Sequence, residues 1–197
     1  MNLLSIGPAM KLPLTLILLT ATLHAGAQDI GALTTETKKA VLPVVPKVVN
    51  AMQEAVAEKG VAGAIPVCKD QAPRLIKEVR DSTGWSIRRV SLKPRNPERG
   101  TPDIWEVRTL VDFNLRAAAG EKPEVLEKSE IVSENGKQVF RYMKALPVAD
   151  VCLKCHGPAE SLDAGLKAKL VESYPHDQAT GYAKGQIRGA LTVIRPL

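Results

Sequence analysis

Residues 152–156 read Cys152-Leu153-Lys154-Cys155-His156. Two thiols three residues apart on one helical turn face the same way. Both can add across the vinyl groups of one porphyrin, and the histidine that follows can offer a ring nitrogen to the iron. The pattern is therefore the attachment signature of a c-type haem. A zinc half-site would need a second Cys/His pair, which the sequence lacks. A thioredoxin-like redox pair would stand where a first strand meets its helix, not late in the chain. The pentapeptide occurs once, so one covalently held haem c is expected.

Cys68 is the third cysteine. Its thiol either packs in the core, as cysteine commonly does, or ligates iron opposite His156. The other donors are His176 in a polar loop, Met143 in a strand pattern and Met52 on an apolar helix face. A surface role for the histidine and core roles for the methionines are the plainer readings. Arg95, Asn96 and Arg89 are candidates to contact the haem propionates, because a guanidinium fork matches a carboxylate. Tyr182 is a weaker candidate of the same kind.

Residues 1–27 carry a secretory-signal pattern. Lys11 supplies the positive start, Leu12 to Leu23 is apolar apart from Pro13 and threonines, and Ala25-Gly26-Ala27 suits cleavage before Gln28. Met10 is an alternative start. The apolar run falls short of the roughly 20 residues a membrane span needs, so cleavage is expected. What remains, 28–197, is one domain. Haem is attached to c-type cytochromes outside the cytoplasmic membrane, so the location expected is the periplasm. The formal charge of +6, from 27 basic and 21 acidic residues, is scattered and not in blocks. It suits an acidic protein partner or a solvated surface; nothing points to nucleic acid.

The elements that must position these residues form an α+β fold. Asp29 to Lys59 has helical apolar spacing that Pro43 and Pro46 should kink or split, and Gly60 should end. A helix this long suits packing on a second copy of the chain. Pro66 to Asp81 reads as a second helix carrying Cys68, Ala72, Leu75, Ile76 and Val79 on one face, disrupted early by Pro73. Trp85 to Leu92 reads as a strand. Lys93 to Pro102 is a proline-rich loop. Asp103 caps a helix to about Ala119, with Ile104, Val107, Leu110, Val111 and Leu115 expected inward. Glu124 to Val132 and Gln138 to Leu146 form a hairpin through Asn135-Gly136. Glu160 to Ser173 is a short helix, Tyr174 to Lys184 a loop, and Ile187 to Ile194 the last strand. The expectation is a meander of about four antiparallel strands flanked by helices.

Several stretches in this order resemble the single-haem c-type family with a PAS-like fold, which includes a soluble cyanobacterial cytochrome and haem input domains of some kinases and chemoreceptors. They are Ala64-Ile65-Pro66-Val67-Cys68, Ala72-Pro73, Arg89 to Pro97, Trp105-Glu106, Cys152 to Gly157, Tyr174 to Tyr182 and Gly185 to Ala190. The resemblance covers about residues 29–197. It implies a PAS-like sheet holding haem c, with Cys68 and His156 as the two iron ligands. A thiolate ligand implies a low potential.

Two functions then compete. One is an electron-transfer or redox-responsive cytochrome working with a redox partner. The other is a haem sensor of redox state or a diatomic gas, which signals through a separate protein. A peroxidase would need a distal acid–base residue, for which His176 is the sole histidine on offer; the chain is expected not to be an enzyme.

Overall fold

Proline splits the N-terminal helical stretch. The computed structural model describes residues 29–197; the signal pattern and its cleavage position lie outside them. Helix α1 (Ile30–Val41) starts at Asp29, whose carboxylate accepts the Gly31 N–H at 2.8 Å. After Leu42-Pro43 the chain enters α2 (Val44–Gly63). Pro46 sits in its first turn, where no intrahelical N–H bond is lost. Gly60 (φ 73°) interrupts it, one short turn before its end.

The second helical stretch is disrupted early, next to Pro73, as the sequence implies. Val67–Gln71 is a single π turn in which the Ala72 N–H bonds Val67 O, and α3 (Ala72–Thr83) follows. Pro73 has no N–H to give the Lys69 carbonyl, so the tighter α ladder cannot run through this point. Gly84 ends α3 in the left-handed conformation.

Strands β1 (Ser86–Val90), β2 (Glu127–Glu134), β3 (Lys137–Pro147) and β4 (Ile187–Pro196) form one antiparallel sheet in the order β1-β4-β3-β2. A plain meander would follow chain order. Instead β4, almost wholly buried, takes an interior place between β1 and β3. Asn135 and Gly136, at φ 51° and 77°, make the tight β2–β3 turn.

The sheet's front face carries Ile87, Phe140, Tyr142, Leu191 and Val193, packed under Leu33, Val41 and Val44 of the N-terminal helices. Its back face carries Val90, Met143, Ala145 and Ala190. The short helix α4 (Pro97–Gly100) lies in the proline-rich loop, and α5 (Ile104–Ala118) covers the back face with Leu110 and Phe113. Here the sequence reading needs correction. Of the five apolar α5 positions expected inward only Leu110 is buried; Ile104 is 73% and Leu115 66% exposed, and Val107 and Val111 also face out. Glu106, Thr109, Leu110 and Phe113 face in. The rotation of α5 follows Glu106, which reaches Arg88, Arg141 and Thr192 on the sheet.

Helix α6 (Asp150–His156) holds the Cys-x-x-Cys-His turn directly after β3, and α7 (Ala164–Ser173) is capped by Asp163. No helix among the described residues is long and apolar enough to cross a membrane.

Candidate functional site

An apolar cavity of about 360 Å³ lies between the front of the sheet and the helices. Val44, Val45, Val48, Val49 and Met52 form one wall along α2. Cys68, Ala72 and Ile76 come from the π turn and α3; Cys152, Cys155 and His156 come from α6. Few polar groups enter, which is the usual make-up of a cofactor pocket.

The short α6 puts both thiols and the imidazole into one cavity, and its surroundings fix the imidazole's state. His156 Nδ1 lies 2.7 Å from Ala179 O, so it carries the proton and donates, leaving the Nε2 lone pair available. Burial first, then the charges of Arg188 and Arg95, hold His156 well below the ordinary histidine range. The ring is therefore neutral at pH 7. Tyr182 packs edge-on against it at 6.3 Å. Burial pushes the Cys155 thiol up, keeping it protonated at neutral pH.

The 174–182 loop is tied to α6. Gly181 and Tyr182 N–H groups donate to Gly157 O and His156 O at 2.8 and 2.9 Å. Arg95 Nη2 donates to Cys155 O at 2.7 Å, and its Nε faces Asp177 Oδ2 at 3.0 Å as a charge contact off the hydrogen-bond line.

Most of the residues picked out by sequence meet in this space. Cys152, Cys155, His156, Cys68, Arg89 and Arg95 all border the cavity. Cys68 is an exposed thiol at the cavity wall and not a core residue. Met52, expected in the core, also lines the cavity, whereas Met143 is fully buried on the back face and His176 is exposed elsewhere. Two candidates are not brought to the cavity. Asn96 caps α4, accepting the Arg99 N–H. Tyr182 turns its hydroxyl to Ser91 Oγ at 3.5 Å and is buried against His156. Arg95 borders the cavity but its guanidinium already serves Asp177 and Cys155 O.

Arg188 was not singled out from sequence. It is the extra residue of a β-bulge: Ile187 pairs Pro147 and Gly189 pairs Leu146, leaving Arg188 unpaired and turned to the cavity. The signal that could have found it is Gly189 within an otherwise apolar strand, a mark of a bulge or close backbone approach. Arg89 lines the cavity, crowded by its walls yet open to solvent. Burial lowers its pKa, and burial followed by the Arg89 charge brings Arg188 down to about 9.

A family model described as Tll0287-like matches residues 22–196. The chain belongs to the Tll0287-like family. The crystal structure of the cyanobacterial heme-protein Tll0287 is similar to it, with a TM-score of 0.65 at 21% identity, covering 86% of this chain and 97% of that one. At that identity the likeness carries the fold, including the sheet and helices that frame the cavity in this Tll0287-like chain. Curated proteins offer no match.

Proposed function

We propose that this protein is an exported, periplasmic, single-haem c-type cytochrome with a PAS-like fold, which exchanges electrons with a partner protein and catalyses no reaction of its own. The observation that carries this reading is α6: two thiols and a neutral, oriented imidazole enter one apolar cavity whose wall also holds Cys68. The residues fit the group. Cys152 and Cys155 would each add S–H across one vinyl, forming S–C and C–H bonds with no oxidant required. His156 Nε2 and the Cys68 thiolate would hold the iron. When bound, the group supplies a one-electron ferric/ferrous couple, and a thiolate favours the ferric side. The similar cyanobacterial protein Tll0287 is itself a heme-protein, which agrees with this reading.

The test is the electron paramagnetic resonance spectrum of the ferric holoprotein beside its Cys68→Ser and Met52→Leu variants. Covalent haem is first verified by the pyridine haemochrome spectrum. A low-spin thiolate signal lost in Cys68→Ser and kept in Met52→Leu is the expected result. An unchanged Cys68→Ser spectrum would overturn the ligand assignment and move it to Met52.

A second reading has its own support. Cys68 is exposed on a π turn, and another soft donor, Met52, shares its cavity. Such a pair suits ligand exchange on reduction, and hence a redox or gas sensor that reports to a separate signalling protein. Carbon monoxide binding to the ferrous protein at stoichiometric gas would favour it; resistance to carbon monoxide would favour simple electron transfer.

A further inference from the structure

Three arginines border the cavity, yet the described residues offer them one carboxylate. Arg95 has Asp177 at 3.0 Å. Neither Arg89 nor Arg188 has a carboxylate within 4.0 Å among the described residues, and the Arg89 side chain makes no hydrogen bond to them. Arg188 is only 5% exposed. An unpaired guanidinium enclosed by protein is unfavourable unless an anion shares its space.

The hydrogen bonds of Arg188 show which edge it keeps free. Nη1 donates to Ser91 Oγ at 3.0 Å and to Lys93 O at 3.3 Å. Nε lies 3.2 Å from His156 Nδ1 and 3.5 Å from Nε2. Nδ1 already donates its proton to Ala179 O, and a donor this near both ring nitrogens lies over the ring face, off the Nε2 lone pair. The imidazole therefore gives Arg188 Nε no firm acceptor. The Nε–Nη2 edge, which binds a carboxylate with two parallel hydrogen bonds, is then left without a partner.

Two unpaired cations meet a macrocycle class that carries two propionate carboxylates. We propose that Arg89 and Arg188 form a two-cation clasp for those carboxylates; the proposal rests on the haem-binding reading above. Arg89 reaches the cavity from β1 by strand alternation, and Arg188 reaches it from β4 through the bulge. The close approach at Gly189 (φ 156°), where a Cβ would stand 2.3 Å from Val90 O, holds the bulge in place. Ser91, buried beside it, fixes the Arg188 head. Arg95 positions α6 through Cys155 O and stands outside the clasp.

The experiment is an equilibrium redox titration of the holoprotein, with resonance Raman spectra of its propionate-bending band, for wild type, Arg188→Met, Arg188→Lys and Arg89→Met. Haem staining after denaturing electrophoresis checks covalent attachment in each. Arg89→Met removes no hydrogen bond to the described residues, so it folds even if Arg188→Met does not. The expected result is a roughly tenfold shift of the ferric/ferrous equilibrium toward ferric for each methionine variant, about 59 mV in a one-electron couple. The propionate band should move with it, and lysine at 188 should restore part of the shift. Covalent haem with unmoved potential and propionate band in Arg89→Met, and in Arg188→Met where it folds, would overturn the clasp. Absence of covalent haem from the wild type would overturn the underlying reading, and the clasp with it.

Discussion

Glu106→Gln tests how the back of the sheet holds the fold. Glu106 is 0% exposed. Oε2 accepts Arg88 Nη2 at 2.5 Å and the Asp103 N–H at 2.8 Å. Oε1 accepts the Thr192 hydroxyl at 2.9 Å and lies 3.3 Å from Arg141 Nη2. Glutamine keeps the shape but turns an NH2 group toward donors. Hydrogen bonds to charged groups contribute about 1.5–3 kcal/mol each, and two are lost. Both guanidiniums keep other acceptors: Arg88 has Thr101 O at 2.9 Å, and Arg141 has Asp103 at 2.6 Å and Glu134 at 3.0 Å. The loss therefore falls below that sum of about 3–6 kcal/mol, to about 2–4 kcal/mol in all. That is a large share of a stability of about 5–15 kcal/mol. At about 2–4 °C per kcal/mol for a domain of this size, Tm should fall by about 4–16 °C. Urea titration followed by circular dichroism, at unchanged slope, measures it. A loss below about 0.5 kcal/mol, the scale of an ordinary surface change, would refute the argument.

Other perturbations probe neighbouring parts. Burial alone would raise the Asp103 carboxyl, but hydrogen bonds from Arg141 and the Glu106 N–H hold it below the usual value. Its folded pKa is thus lower than its unfolded one. The unfolded chain binds more protons in that window, so this contribution is full above the unfolded pKa near 3.8 and is lost as pH falls below it; Asp103→Asn should flatten that part of the acid denaturation curve. Gly189→Ala drives a Cβ into Val90 O, a backbone atom, and should destabilise by about 3 kcal/mol, read from the urea midpoint. Arg95→Met leaves Asp177 uncompensated at 12% exposure and should lose about 3 kcal/mol; an Arg95→Met/Asp177→Asn pair that recovers none of this in a double-mutant cycle would contradict it. Leu115→Lys, at a position 66% exposed, should change stability by less than about 0.5 kcal/mol, contrary to an inward-facing α5 stripe.

Local chemistry was legible where it carried its own signal. The prolines at 43 and 46, Gly60 and Asn135-Gly136 punctuate the chain where the structure breaks or turns it, because each acts through its own backbone. The pentapeptide and Cys68 likewise marked one cavity from positions far apart in sequence. The α5 face was misread because apolar periodicity says which residues share a stripe, not what the stripe meets. A buried carboxylate with four partners outweighed Ile104, Val107, Val111 and Leu115. Nor could spacing reveal that β4 would lie beside β1, since strand order is decided by long-range pairing. Asn96 and Tyr182 were assigned by residue type alone; the local N–H of Arg99 and the ring of His156 took them instead.

Strand parity explains how one sheet keeps its buried network apart from its cavity. Arg88 and Arg89 are consecutive on β1, so they must point to opposite faces. Arg88 meets Glu106 behind the sheet, and Arg89 enters the cavity in front. On β4, Ala190 and Thr192 belong to the back, so uninterrupted alternation would send Arg188 there too, beside Arg88 and Arg141. The bulge reverses parity at that single residue: Ile187 joins the back core and Arg188 turns to the front. A one-residue slip of β1 would exchange Ile87 and Arg88 between faces and break the Glu106 contacts, so the network behind the sheet locks the register that aims Arg89 in front. Glu106→Gln should therefore loosen more than global stability. Amide exchange along β1 should rise above that of the β2–β3 hairpin, and equal protection of the two would show that the register is held by apolar packing alone.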